Sequence, residues 1–281
     1  MFLLVFAALI IFLFYCAKLL LFCFLKRLKG VILNIIIVLN LIKLNAIDST
    51  NTYLKQLAKE MLLPNETVVV AENQLAGRGQ MGNGWYSKEG ESLTFSMFQT
   101  YEGLLAEGQF IISMAVSIAV AKALKEMNVP QISIKWPNDI LSANKKIGGI
   151  LIENVLDGRF VKYSVIGLGL NVNEVDFPNL PQASSLKLQT GKNFQLEEVL
   201  DALLKNIFKS LKNLSTSEFS EIKQLFQNNL FRKEKISVFE TPERVRFNGI
   251  IKGVSDIGEL LVETENNPLQ KFQMKEVKLI Y

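Results

Sequence analysis

The sequence predicts an α+β protein with a small all-β module at its C-terminal end, and three observations carry that prediction. Period-two runs such as "SLTFSMFQ" (92–99), with Leu93, Phe95 and Met97 alternating, mark strands. Stripes at i, i+3, i+4 and i+7, such as Leu54, Leu57, Ala58 and Met61, mark amphipathic helices within the same stretch of chain. From residue 235 the pattern changes to short strands and turns punctuated by Gly249, Gly253 and Gly258, which suggests a small all-β barrel of about 45 residues. The mixed body before it reads as a mostly antiparallel sheet with flanking helices.

Taken in order, residues 1–43 form an apolar leader. "MFLLVFAALIIFLFYCAKLLLFCFL" carries one charge, Lys18, and is followed by the basic "KRLK". It is long enough to cross a bilayer, and the basic cluster would leave the body on the cytoplasmic side. The leader reads either as a membrane anchor or as upstream translation from a misassigned start. Residues 41–47 read as a first strand and "DSTNTYLKQLAKEM" as a helix whose opening Asp48, Ser49, Thr50 and Asn51 are all N-cap types. "ETVVVAEN" (66–73) is a strand. The glycine-rich "QLAGRGQMGNGWYSKEGE" loop follows, then strand 92–99 and a long apolar helix over 107–127. Strands come next near 132–136, 146–155 and 161–170, with amphipathic helices at 196–213 and 217–229. The resulting domains are 1–43, 44–234 and 235–281.

Charge and residue types narrow the chemistry. Five of the 31 basic residues lie in the first 43, which hold no acid, leaving 26 against 27 acidic residues in the body. No basic bias of the nucleic-acid-binding kind exists there, so no nucleic-acid partner is expected. Both cysteines, Cys16 and Cys23, lie in the leader, and the chain has no histidine. Thiol nucleophiles, Ser-His-Asp triads and Cys/His metal sites are thereby excluded from the body. Chemistry must use lysine, arginine, carboxylates, hydroxyls, amides and backbone.

Three stretches have the composition of a site. Gly77-Arg78-Gly79 frees the backbone around a guanidinium, so amides and a planar cation can converge on an anion. Gly77, Gly79 and Gly82 match G-x-G-x-x-G, but no helix pattern follows, so it is no dinucleotide fingerprint. On composition alone the stretch reads first as a mobile surface loop; with Trp85 downstream it also has the make-up of a lid. In "KWPNDILSANKKIGGILIEN" (135–154), Pro137 ends a strand, and Asn138 and Asp139 are ordinary turn formers. Strict alternation sets Lys146, Gly148, Ile150 and Ile152 on one face, and Lys145, Ile147, Gly149, Leu151 and Glu153 on the other. Read alone, the lysines are a solvated turn pair, yet the adjacent glycines suggest close approach of a flat ligand. "VIGLGLNVN" (165–173) closes a strand in a third bare, amide-rich stretch.

Together, "DSTN" (48–51), "AGRGQMGNGW" (76–85), "KWPND" (135–139), "KKIGGILIE" (145–153) and "GLGLNVN" (167–173) resemble, in order and spacing, the biotin–protein ligases. The likeness covers roughly 44–281, and "GIIKGVSDIGELLVE" (249–263) resembles that family's SH3-like tail. The resemblance implies a class II synthetase-like ligase fold and ATP-dependent attachment of biotin to a carrier lysine through biotinyl-5′-AMP. Biotin and Mg-ATP are then substrates, no tightly bound metal is expected, and the protein partner is the apo biotin carrier domain of a biotin-dependent carboxylase. By the same resemblance Ser49, Thr50 and Gln74 bind biotin's ureido ring, with Gly77, Gly149, Leu151 and Gly167 lining its slot. Arg78 contacts carboxylate or phosphate, Trp85 packs between biotin and adenine regions, and Lys146 is the catalytic lysine. Gly79, Gln80, Lys135, Asn138 and Asn171 fall on the nucleotide side. Asp139 is the third catalytic candidate, helping the incoming amine, and the candidate magnesium ligand. Relatives often carry a second arginine where this chain has Gln80, which removes one cation. Residues 1–43 are too apolar for the DNA-binding domain of the bifunctional relatives, so the monofunctional type is expected. An exposed sheet can support a homodimer. The alternatives are a lipoate–protein ligase or octanoyltransferase, and a non-catalytic, membrane-tethered binder of biotin or nucleotide.

Overall fold

The computed structural model describes residues 41–281 apart from 213 and 215–217, so the expectation of an apolar leader lies, up to residue 40, outside the described residues. A seven-stranded sheet runs in the order β1-β2-β3-β7-β6-β5-β4. Its strands are β1 (Leu41–Ile47), β2 (Val68–Gln74), β3 (Ser92–Thr100), β4 (Ile132–Lys135), β5 (Asp139–Ser142), β6 (Lys145–Asp157) and β7 (Phe160–Asn171). From β2 to β4 every neighbouring pair is antiparallel.

Helix α1 (Thr50–Glu60) starts where the row of N-cap residues placed it, and Ser49 is the one the fold uses, its side chain accepting from the Thr52 amide. The long apolar segment forms α2 (Phe110–Glu126). Ile112, Met114, Val116, Val120 and Leu124 are fully buried there, each contributing about 1.5–3 kcal/mol by leaving water. Ala106–Glu126 is long and apolar enough to cross a membrane, but two thirds of it is buried, the placement of a core helix. Leu93, Phe95, Met97, Leu168 and Leu170 join α2 in that core. Alternation then turns Thr94, Ser96, Gly167 and Gly169 to the opposite face, where α1 packs: Ser96 donates to Asn51 of α1, and that side chain presses on Gly167. Helices α3 (Leu186–Thr190), α4 (Leu196–Leu211) and α5 (Phe219–Asn228) complete the body.

Two details differ from the sequence reading. Residues 135–154 form two tight connections rather than one hairpin. The Trp136–Asn138 corner leads into a short strand, β5, and residues 143–144 turn it back with φ of 45° and 65°. Asp139 is therefore a strand residue paired with Gly149, not a turn former. The β5–β6 register also shifts between Ile140, opposite Gly148, and Leu141, opposite Lys146. That bulge inserts Ile147 as an extra residue and breaks the alternation. Lys146 consequently shares a face with Gly149, and its Cε and Nζ would lie 3.6 Å from a Cβ placed there. The strict two-residue period had put the two on opposite sides.

The C-terminal strands β8 (Ile236–Glu240), β9 (Arg246–Val254), β10 (Leu260–Thr264), β11 (Asn267–Phe272) and β12 (Lys278–Ile280) form a five-stranded antiparallel sheet in the order β11-β10-β9-β8-β12. Trp136 joins it to the body. Its Nε1 donates to the Gly258 carbonyl at 2.9 Å. Gly258 has φ of +92°, and a Cβ there would meet the Phe110 ring at 2.5 Å, so both conformation and space require glycine.

Candidate active site

One cavity of about 290 Å³ opens on the face of the sheet that α1 covers, between the body and the C-terminal strands. Its bare wall comes from β6 and β7. At Gly169 an added Cβ would lie 2.2 Å from Cε2 of Trp85, and at Gly149 3.6 Å from Cζ3 of the same ring. The glycines thus leave room for an indole, which lies flat on the strands. Trp85 Nε1 is buried there and has no hydrogen-bond partner among the described residues.

The glycine-rich loop is more ordered than its composition suggests. Gly79 N–H donates to the Asn83 carbonyl at 2.7 Å and Trp85 N–H to the Gly77 carbonyl at 2.9 Å, closing a small hairpin around the turn Gln80–Gly82. A Cβ at Gly77 would meet the Trp85 carbonyl oxygen at 2.4 Å, so the neck closes only with glycine. Gln80 turns to the C-terminal sheet and donates from Nε2 to the Met274 sulfur at 3.0 Å.

Three charged side chains gather at the polar end. Asp139 bridges two ammonium groups: Lys146 Nζ at 2.6 Å on Oδ1 and Lys135 Nζ at 3.1 Å on Oδ2. Burial alone would push the Asp139 carboxyl up, but the two lysine charges and their hydrogen bonds hold it below its usual value. The cluster keeps a net positive charge, with Lys146 beside the Trp85 ring at 5.8 Å from its centroid. Both carboxylate oxygens are occupied by ammonium groups, and no group of three or more metal-ligating side chains occurs among the described residues. The donor set fits an anion held by lysines better than a resident cation on Asp139. Tyr281 closes this end: its ring sits 5.5 Å from Lys135 Nζ, and burial together with the Asp139 charge pushes its phenol up to about 12.

At the other end, Gln74 Oε1 accepts from the Thr50 amide at 2.9 Å and its hydroxyl at 3.1 Å. Ser49, Thr50, Gln74, Arg78, Gly79, Gln80, Trp85, Lys135, Asn138, Asp139, Lys146, Gly149, Leu151 and Gly167 all line the cavity. Gly77 stands behind the wall as the loop's neck. Asn171, expected on the nucleotide side, is a correction: it is buried off the cavity and donates to the Ser184 carbonyl at 2.9 Å. Ser184 N–H in turn bonds the Lys146 carbonyl at 2.8 Å, so Asn171 acts on the strand that carries the lysine. Asn138 is held as well, its amide donating to the Ile150 carbonyl at 2.8 Å. Sequence reasoning missed Asn51, Gly169 and the C-terminal residues Met274, Lys275 and Lys278 that line the same cavity. The "DSTN" and "GLGLN" strings hold the first two, but nothing local in the sequence brings the last three to the site.

Fold and site together define an α+β ligand-binding domain with a glycine-bare wall for a flat molecule and a lysine-lined end for an anion. Comparison with known proteins gives the family. Residues 44–171 match the model of the biotin/lipoate A/B protein ligase family. The bifunctional ligase/repressor BirA of Bacillus subtilis is 32% identical over 249 residues, which cover 85% of this chain and 74% of that protein. The biotin–[acetyl-CoA-carboxylase] ligase of Paracoccus denitrificans is 28% identical over 76% of this chain and 90% of its own length. The solved biotin protein ligase of Aquifex aeolicus, in complex with biotin and ATP, superposes with a TM-score of 0.69 at 29% identity, covering 85% of this chain and 98% of that one. The chain belongs to the biotin/lipoate A/B protein ligase family.

Proposed function

We propose that the protein is a biotin–protein ligase that attaches biotin to a lysine of a carboxylase carrier domain through biotinyl-5′-AMP. One observation carries the reading: in a member of this family, the Lys146 ammonium, held at 2.6 Å by Asp139, faces the same cavity as Ser49, Thr50, Gln74 and Arg78. The biotin carboxylate attacks the α-phosphorus of ATP and expels pyrophosphate. The carrier lysine amine then attacks the carbonyl of the mixed anhydride and expels AMP. Both nucleophiles come from substrates, which suits a body without cysteine or histidine. The protein's part is to align the two anions, neutralise the charge that builds on the phosphorus oxygens and keep water off the anhydride.

In this mechanism the Thr50–Gln74 end holds the ureido ring and Trp85 packs over the ligand. Arg78 and Lys146 meet the carboxylate and α-phosphate oxygens, a task for which lysine's compact charge is suited. Asp139 orients Lys146 and Lys135 through one carboxylate oxygen each. Magnesium arrives with the triphosphate as part of the substrate. The five C-terminal strands are the SH3-like module of the family, giving domains at 44–234 and 235–281, and the body works in the cytoplasm, where ATP and the apo carrier meet. Isotope exchange tests the first half-reaction: labelled pyrophosphate should enter ATP only when biotin is present. Exchange supported by lipoate or octanoate but not by biotin would replace this reading with the alternative ligase.

A further inference from the structure

Glu153, on β6, has no part in the chemistry above, yet three groups converge on its carboxylate, two of them, Asn51 and Arg78, from residues that line the cavity. Asn51 Nδ2 donates at 2.9 Å, Lys55 Nζ at 2.7 Å and Arg78 Nη2 at 3.3 Å. Burial alone would push this carboxyl up, but the bonds from Lys55 and Asn51 and the charges of Lys55 and Arg78 hold it below its usual value. Asn51 continues inward: its Oδ1 accepts from the Ser96 hydroxyl, that hydroxyl oxygen lies 2.7 Å from the Thr50 hydroxyl, and Thr50 donates its own proton to Gln74 Oε1. One side-chain path therefore runs from the loop arginine to the far end of the cavity. Arg78 has five N–H donors in a planar fork, and Glu153 is its one ion-pair partner among the described residues, leaving the remaining donors for an anion.

We propose that Glu153 is a positioning residue for the ligase reaction. It grips the Arg78 guanidinium by one nitrogen so that its other donors meet the ligand's carboxylate or phosphate, and through Asn51 it ties that arginine to the Thr50–Gln74 end. The inference rests on the proposed function. Charge alone predicts the opposite sign, because removing a negative group beside two cations strengthens attraction for an anion. The two accounts are therefore separable.

The experiment measures release of labelled biotinyl-adenylate from the full chain, in the wild type, Glu153→Gln, Arg78→Ala and the double variant. Glu153→Gln should release the adenylate roughly 3- to 30-fold faster, within the span of coupling found inside one hydrogen-bonded network. In the Arg78→Ala background the same substitution should change nothing, a non-additivity that a merely structural role would not produce. Unchanged or slower release from Glu153→Gln, or additive effects in the double variant, would overturn the proposal. Glu153→Asp, which keeps the charge on a shorter arm, should fall between wild type and Glu153→Gln, and it carries the same cycle if the glutamine variant does not fold. A wild type that forms no adenylate would instead refute the ligase reading, and the proposal with it.

Discussion

Replacing Lys146 with alanine should slow biotin-dependent ATP–pyrophosphate exchange about 10²–10³-fold, the cost of removing one preorganised donor from a developing anion. The fold should survive. Lys146 keeps 36% of its side chain exposed, and Asp139 retains its second ammonium, Lys135, at 3.1 Å, so no buried charge is orphaned. Thermal unfolding of the variant should therefore lie close to that of the wild type. Lys146→Arg should not restore the rate, because a planar fork cannot stand at 2.6 Å from Asp139 and still bridge the same oxygens as a compact ammonium. Near-normal exchange by the alanine variant would show that Lys135 or Arg78 supplies the charge and that Lys146 is a surface lysine of the bulge.

Gly169→Ala should cost roughly 10- to 200-fold in biotin affinity, the range for a misplaced methyl group in a binding pocket. The added Cβ would sit 2.2 Å from Cε2 and 2.6 Å from Cζ2 of Trp85, well inside contact distance, so the indole must leave the β7 wall. Gly149→Ala is the matched control on the neighbouring strand. Its Cβ would have the same ring at 3.6 Å, an ordinary contact, and should be far milder. Calorimetric titration with biotin distinguishes the two. Equal affinities for both variants and the wild type would mean that the indole's seat on the glycines has no bearing on the ligand.

Much of this site was legible in the sequence because its parts are local strings: an N-cap run, a glycine-flanked arginine, a lysine before two glycines. The elements were legible for the same reason, since α1 and β3 each carry a clear period and α2 is one long apolar run. What was not legible depends on register and on distant chain. The face of Lys146 follows from a one-residue bulge opposite Ile140 and Leu141, which no periodicity within β6 reveals. The place of Asn171 follows from Ser184, a loop residue that lies beside Lys146 by a backbone hydrogen bond across 38 positions. Glu153 reads in the sequence only as one face of a strand, and only the fold shows Asn51 and Arg78 reaching it from 102 and 75 positions away. The C-terminal wall was invisible for the same reason: Trp136 meets Gly258 over 122 positions.

The central claim is tested most directly by the mass of an acceptor. The full chain is incubated with biotin, ATP, magnesium and an apo biotin carrier domain, and the carrier is weighed. One biotinyl group on one carrier lysine, appearing only when both biotin and ATP are present, is the predicted result. No biotinyl addition to a carrier that an established biotin–protein ligase modifies in parallel would contradict the account.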